Sequence, residues 1–223
     1  MNAGRDPGLF TGIAHGVLDH LFRRHGAPPV QAGPDDDPLQ SGRVILVSSA
    51  GAGEGKSFVA QGLAHALAEQ QQGDVVWVDA AFDRPPADAD IFRRGASGLS
   101  EIMTLGSLQG LAPAGAGPDR LWRLGRGVLA QPALLQRPDA VRKGLLALRA
   151  GFALTVLDAP ALSGCGALLE EVDACVLVVD ARRTSRAAAQ RALAESRLGD
   201  ERLAGLVLNH RPRTLPRWLG GGD

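Results

Sequence analysis

Residues 43–68 combine three local patterns that few folds accommodate together. The apolar run Val44–Val47 is followed by a loop with three glycines and then by a helical repeat of apolar residues that begins near Ser57. Glycines let backbone N–H groups converge on an oxyanion, and the first turn of a helix adds its positive dipole end. The order of strand, glycine-rich loop and helix therefore predicts a phosphate-binding loop.

The loop reads AGAGEGKSF from Ala50 to Phe58. The residues predicted to bind a nucleotide are Gly51, Gly53, Glu54, Gly55, Lys56, Ser57 and Phe58. In the pattern G-x-x-x-x-G-K-[ST], the lysine reaches the β- and γ-phosphates and the hydroxyl completes a Mg²⁺ shell. Ala50 stands where the pattern has glycine. A glycine-rich turn before an ordinary helix is the alternative interpretation.

Strand-like and helix-like stretches alternate along the chain. Continuous apolar runs predict strands buried on both faces of a parallel sheet, at Val44–Val47, Val75–Val78, Ala153–Leu157, Cys175–Val179 and Leu203–Leu208, with a further short strand at Leu121–Leu124. The predicted helices span Ser57–Gln71, Ala140–Ala150 and Ser185–Leu198, the last with a left-handed cap at Gly199. This alternation predicts a three-layer α/β domain with a mainly parallel sheet.

The first 42 residues are predicted to form a helical extension and linker before a domain at 43–210. Helical spacing over residues 9–25 gives one apolar stripe, which consists of Leu9, Ile13, Val17, Leu18, Leu21 and Phe22. Residues 26–42 are rich in Pro, Gly and Asp, which predicts a linker, and residues 211–223 are a short tail. The stripe must cover either its own domain or a partner.

Two aspartates end predicted strands. Asp79 follows Val75–Val78, and Asp158 follows Leu157. The carboxyl ends of parallel strands form the edge where open α/β sheets bind ligands. Both aspartates are therefore predicted as catalytic residues together with Lys56, and as Mg²⁺ ligands together with Ser57. Aspartate is also a common first residue of turns, which is the alternative explanation.

Composition argues against several classes of protein. The 24 Lys and Arg residues balance 24 Asp and Glu residues, which argues against binding of nucleic acid or anionic lipid by bulk charge. Two cysteines, Cys165 and Cys175, suggest no disulfide framework and fit a reducing cytoplasm. Neither an apolar span of about 20 residues nor a signal peptide is readable. The chain contains no tyrosine, so it cannot phosphorylate tyrosines of its own.

Several segments together resemble the cytoplasmic catalytic domain of bacterial tyrosine kinases. They are the phosphate loop, VVWVDAAFDRP around Asp79, GLSEIM at 98–103, LTVLDAP around Asp158 and the terminal LAGLVLN. Those kinases regulate capsule and exopolysaccharide export and belong with the MinD/ParA-type deviant P-loop ATPases. The resemblance implies a P-loop NTPase-like fold in which Lys56 and Ser57 bind phosphates and Mg²⁺. It also implies that Asp79 and Asp158 are the acidic motif residues and that Asn209 reads the adenine.

Three departures from the family's pattern change what the resemblance implies. The family's second acidic motif resembles D-x-D-x-x-R-P, and here Ala81 replaces the second carboxylate, with Asp83 two residues further on and Arg84–Pro85 closing the motif. Loss of a carboxylate near the metal and the acceptor hydroxyl should reduce phosphoryl transfer. The tyrosine cluster that such kinases modify is absent, and the family's E-x-x-R-x-x-R helix is unmatched within Leu9–His25, which puts a ring oligomer in doubt.

The resemblance implies a protein that binds ATP or ADP with Mg²⁺, and the departures imply that it is weakened in phosphoryl transfer. The charge balance and the two cysteines predict a cytoplasmic protein that binds no nucleic acid. The resemblance also implies a partner, a membrane polysaccharide co-polymerase or chain-length component, through which the chain would reach the inner membrane, and a homo-oligomer is an open expectation. Two alternatives also remain open. One is a MinD/ParA-like positioning ATPase, against which Gly51 counts because it replaces an early signature lysine. The other is a nucleotide-free scaffold.

Overall fold

The computed structural model describes residues 7–26, 42–70, 73–84, 98–108 and 120–210. Most of the predicted linker, residues 109–119 and the tail after His210 lie outside these ranges. The helices are α1 (Pro7–His25), α2 (Lys56–Gln70), α3 (Leu99–Leu105), α4 (Pro138–Gly151), α5 (Leu168–Glu171) and α6 (Arg186–Glu195). The strands are β1 (Arg43–Ser49), β2 (Val75–Asp79), β3 (Leu121–Leu124), β4 (Leu154–Asp158), β5 (Ala174–Asp180) and β6 (Leu203–Asn209).

The six described strands form one parallel sheet in the order β3-β2-β4-β1-β5-β6. The strands predicted from the apolar runs are confirmed, and so is the short strand at Leu121–Leu124. Because all strands point the same way, their carboxyl ends share one edge of the sheet. The register between β2 and β4 pairs Asp79 with Asp158, so the two predicted acids lie side by side at this edge.

Side chains of the strands alternate between two apolar cores. On β1, Val44 and Leu46 face the core that contains α3 and α4, whereas Ile45 and Val47 face the core that contains α1 and α2. Strands β1, β2, β4 and β5 are buried along their whole length because both faces are covered. The predicted three-layer α/β fold is confirmed. None of the described helices is long and apolar enough to cross a membrane.

Helix α1 covers the chain's own sheet beside α2. Its buried residues are Phe10, Ala14, Val17, Leu18 and Leu21, which recur at the spacing of one helical face. Leu9 and Phe22, which belong to the predicted stripe, are exposed because they lie at the margins of this face. Gly62 on α2 allows the close approach, since a Cβ there would lie 2.3 Å from the ring of Phe10.

Helix α6 is shorter than predicted and ends at Glu195 instead of Leu198. Ser196 leaves the helical conformation, with ψ of 160°. Its hydroxyl donates to the carbonyl of Leu193 at 2.7 Å and accepts from the N–H of Leu198 at 3.3 Å. These local bonds compete with those of a continued helix.

Two further expectations about this end of the chain are wrong. Gly199 has φ of −67°, so it does not form the predicted left-handed cap. Strand β6 is not buried on both faces, since Leu206 and Leu208 are exposed. The reason is that β6 lies at the edge of the sheet, where α6 contributes one buried residue, Ala189.

Candidate functional site

The predicted phosphate loop lies between the end of β1 at Ser49 and the start of α2 at Lys56, at the carboxyl edge of the sheet. The first N–H groups of α2 have no partners within the helix, and the helix dipole places positive charge there. Lys56, the first residue of α2, is buried. Burial lowers the pKa of Lys56, and the nearby charges of Asp158 and Asp83 oppose that shift. The loop therefore brings amide donors and one lysine to a common point.

The loop is braced by its own Glu54 and by two side chains from beyond it, Thr184 after β5 and Asn209 at the end of β6. The buried carboxylate of Glu54 accepts the N–H of Gly51 at 3.2 Å with one oxygen and the Thr184 hydroxyl with the other. Asn209, at the end of β6, donates from Nδ2 to the Glu54 carbonyl at 2.9 Å. Gly55 has φ of +90°, and a Cβ there would lie 2.0 Å from Asn209 Nδ2. Only glycine fits this position.

Asp158 at the end of β4 is paired with an arginine that also contacts the loop. Arg84 Nη2 donates to Asp158 Oδ2 at 2.7 Å and to the hydroxyl of Ser57 at 2.7 Å. Burial raises the pKa of Asp158 to about 6, against the opposing effect of the Arg84 charge. The second oxygen, Oδ1, is buried and has no hydrogen-bond partner within the described ranges. One acceptor at the site thus stays open to a ligand.

Asp79 at the end of β2 is committed to a second arginine. Its Oδ2 accepts from Arg126 Nη2 at 2.7 Å and from Arg126 Nε at 3.1 Å. Its Oδ1 accepts the backbone N–H of Ala81 at 3.1 Å. Arg126 also donates to the carbonyl of Arg84, so the two arginines are linked. The site therefore contains two carboxylates, each already neutralised by a guanidinium group.

The donor atoms suit Mg²⁺, but their surroundings do not. Mg²⁺ takes oxygen ligands at about 2.0–2.1 Å in octahedral geometry. Ser57 and Asp158 offer a hydroxyl and a carboxylate, yet both oxygens converge on Arg84 Nη2, and Asp79 is held by Arg126. In the part of the chain with described positions, no three His, Cys, Asp or Glu side chains form a metal-binding cluster. Asp158 Oδ1 is the one carboxylate oxygen of the pair with no partner in the described ranges, and with Ser57 and Asp79 held by arginines the residues as arranged do not fit the ion.

The remaining predicted residues lie around the loop in different roles. Phe58 is exposed and packs edge-on against Phe10 of α1, with ring centroids 5.4 Å apart. Asn209, which the resemblance assigns to adenine, uses its amide nitrogen on the loop itself. Ala81 is buried, and the exposed Asp83 lies near enough to act on the charge of Lys56. The structure thus brings Lys56, Ser57 and the strand-end acids together and places Phe58 to one side.

Sequence reasoning did not select Arg84, Arg126 or Thr184 as site residues. Arg126 lies two positions beyond β3, in the strand-end location that drew attention to the aspartates. A search for charged residues after every predicted strand would have found it. In the sequence, Arg84 only closes an acidic motif, and Thr184 follows β5 without any motif.

Comparison with known proteins places this site in a recognised architecture. No protein-family model and no curated protein matches the chain. The VpsO kinase domain matches 90% of this chain and 95% of its own, at 21% identity and a TM-score of 0.63. The kinase domain of Escherichia coli tyrosine kinase ETK matches 78% and 71%, at 22% identity and a TM-score of 0.60. The chain has the fold of these kinase domains.

A ParA-family ATPase from Chlorobium tepidum shares this tyrosine-kinase fold. It matches 76% of this chain and 74% of its own, at 20% identity and a TM-score of 0.54. The predicted P-loop NTPase-like fold class is therefore confirmed. The similar domains are named as kinases and an ATPase, and both names denote reactions of nucleoside triphosphates.

Proposed function

We propose that the chain binds an adenine nucleotide, ATP or ADP, at the loop between β1 and α2. The observation that carries this proposal is the buried Lys56 at the N-terminus of α2, beside a loop whose shape Asn209 and Glu54 hold. Backbone amides of Gly53 and Gly55 would donate to phosphate oxygens, and the Lys56 ammonium would neutralise their charge. The fold shared with named kinases and an ATPase supports this choice of ligand.

The sequence also predicts that Mg²⁺ binds at this site. When bound, the ion would neutralise the β- and γ-phosphates. Ser57, Asp79 and Asp158 are the predicted ligands, but each of them holds an arginine instead. No step of the proposed function therefore passes through the metal. Arg84 and Arg126 supply fixed positive charge at the same edge of the sheet.

Nucleotide binding is tested by calorimetric titration of ADP and ATP into the full chain and two lysine variants. We expect Lys56→Ala to weaken binding by about tenfold or more, because a charge-assisted bond to phosphate is lost. Lys143→Ala is the matched control, since these are the chain's two lysines and Lys143 is exposed on α4. Equal affinity in wild type and Lys56→Ala, or no binding in wild type, would contradict the proposal.

We further propose that the chain is a tyrosine-kinase-type protein weakened in phosphoryl transfer, which acts on the cytoplasmic side with a membrane polysaccharide co-polymerase or chain-length component. The likeness to the VpsO and ETK kinase domains supports the type. Weakened transfer is supported by Ala81, which offers no carboxylate, and by the arginine pairing of both acids. The sequence contains no tyrosine for self-modification.

Two measurements test this role. Co-purification with the chain-length protein of the same organism is expected in the presence of nucleotide and lost in Lys56→Ala; no co-purification with wild type would contradict it. Phosphate release is expected to be slow. Fast hydrolysis that rises with dimerisation would favour instead the ParA-type positioning ATPase, whose fold this chain also shares.

A further inference from the structure

Both strand-end carboxylates at the nucleotide site already have a cation at hydrogen-bond distance. Arg84 Nη2 lies 2.7 Å from Asp158 Oδ2 and 2.7 Å from the Ser57 hydroxyl. Asp79 accepts two N–H groups of Arg126 on Oδ2, and its Oδ1 is taken by the backbone N–H of Ala81. Three of the four carboxylate oxygens and the Ser57 hydroxyl therefore contact protein donors, and Asp158 Oδ1 is the one oxygen of this set with no partner in the described ranges.

Arg84 does more than neutralise the charge of Asp158, because it also contacts the Ser57 hydroxyl. A divalent ion in such a site would link the hydroxyl at the start of the helix to the carboxylate at the end of the strand. A single nitrogen of Arg84 makes that same link. A guanidinium group carries five N–H donors, so after these two bonds it still has donors for a phosphate oxygen.

The positions of the two arginine charges also act against a divalent cation. Lys56, Arg84 and Arg126 bring three positive charges, and Asp79, Asp158 and Asp83 bring three negative charges. A divalent cation at the oxygens that Arg84 and Arg126 contact would lie at short range from a guanidinium charge, which disfavours its binding there. Arginine stays protonated at any pH at which the protein is folded, so this charge is permanent.

We infer that the site binds a nucleoside polyphosphate without a divalent metal ion, with Arg84 in the place that Mg²⁺ would take. The inference rests on the proposed nucleotide binding. It identifies the ligand as the metal-free di- or triphosphate and makes Arg84 a phosphate-binding residue that also keeps Ser57 and Asp158 together.

The test is calorimetric titration of ADP into the full chain in excess EDTA and in excess MgCl₂. Wild type is expected to bind ADP with affinities that agree within about twofold in the two buffers. Arg84→Ala is expected to lose about tenfold or more in EDTA and to recover affinity in MgCl₂, because the vacated oxygens accept the metal. Arg84→Lys keeps the charge and should stay metal-independent. Arg23→Ala, on the exposed part of α1, is the control and should match wild type.

A second readout follows the metal itself. Electron paramagnetic resonance of Mn²⁺ with ADP-saturated protein is expected to show no protein-bound ion in wild type and about one per chain in Arg84→Ala. Wild-type binding that needs metal, by about tenfold or more, would overturn the inference and leave nucleotide binding intact. Absence of ADP binding in both buffers would overturn the proposed function and the inference together. If Arg84→Ala does not fold, the ADP affinities of wild type and Arg84→Lys in the two buffers still test the inference.

Discussion

Replacing Arg126 by alanine is expected to destabilise the fold far more than removing an exposed arginine with an equally short ion pair. Arg126 Nη2 lies 2.7 Å from Asp79 Oδ2, and Arg23 Nη2 lies 2.7 Å from Asp19 Oδ2. The buried pair is 13% and 0% exposed, whereas the helical pair is 76% and 59% exposed. Burial, and not distance, distinguishes the two pairs.

The expected magnitude follows from the charge that is left behind. Asp79 would lose both hydrogen bonds from Arg126 and keep only the N–H of Ala81. Removing one partner of a buried pair costs about 3–5 kcal/mol, whereas an exposed helical pair contributes about 0.3–0.5 kcal/mol. We expect Arg126→Ala to lower the free energy of unfolding by about 3–5 kcal/mol, a large share of the roughly 5–15 kcal/mol typical of a domain.

Urea unfolding at pH 7, followed by far-UV circular dichroism, measures both variants. Similar m-values would show that the same surface is exposed on unfolding. The double variant Arg126→Met with Asp79→Asn removes both charges and is expected to regain most of the lost free energy. Equal losses in Arg126→Ala and Arg23→Ala would refute the reasoning. A double variant no more stable than Arg126→Ala would do the same, because the cost would then lie in packing.

Two further predictions concern packing and pH. Gly62→Ala is expected to lower the free energy of unfolding by about 1–3 kcal/mol, because its methyl group would meet the ring of Phe10. Gly16→Ala, in open space on α1, should raise it by about 0.5–1 kcal/mol. Thermal unfolding compares the two variants, and equal shifts in Tm would contradict this packing. At Glu101, burial acts to raise the pKa, but N–H donors including that of Gly98 outweigh it, so the pKa is lowered. The contribution of Glu101 to the free energy of unfolding is therefore present above its unfolded pKa of 4.5, and it is lost as the pH falls through the lower folded pKa. Glu101→Gln should remove that part of the acid dependence in urea unfolding; an unchanged pH profile would argue against it.

Local patterns were enough to predict the phosphate loop and the sheet. The strand before Ser49, the glycines and the helix from Lys56 each leave a signature within a few residues of sequence. The strand-end positions of Asp79 and Asp158 followed from the same apolar runs. Their proximity then required only that the strands be parallel neighbours.

The arginine partners could not be predicted in this way. Arg84 and Arg126 meet Asp158 and Asp79 across 74 and 47 positions of sequence, and no periodicity encodes those contacts. Helix α6 shows that a local pattern can also mislead. The hydrogen bonds of the Ser196 hydroxyl end the helix, although the helical pattern continues in the sequence. Pattern reasoning locates elements, whereas partner choice depends on the assembled fold.

The hydrogen bond from Asn209 to the Glu54 carbonyl joins residues 155 positions apart. Closing the chain over this distance costs entropy that the contact has to repay. A chain whose edge strand β6 has not docked would lack this brace at the β1–α2 turn. Ligand affinity would then report whether the edge strand has docked, which couples completion of folding to competence for binding.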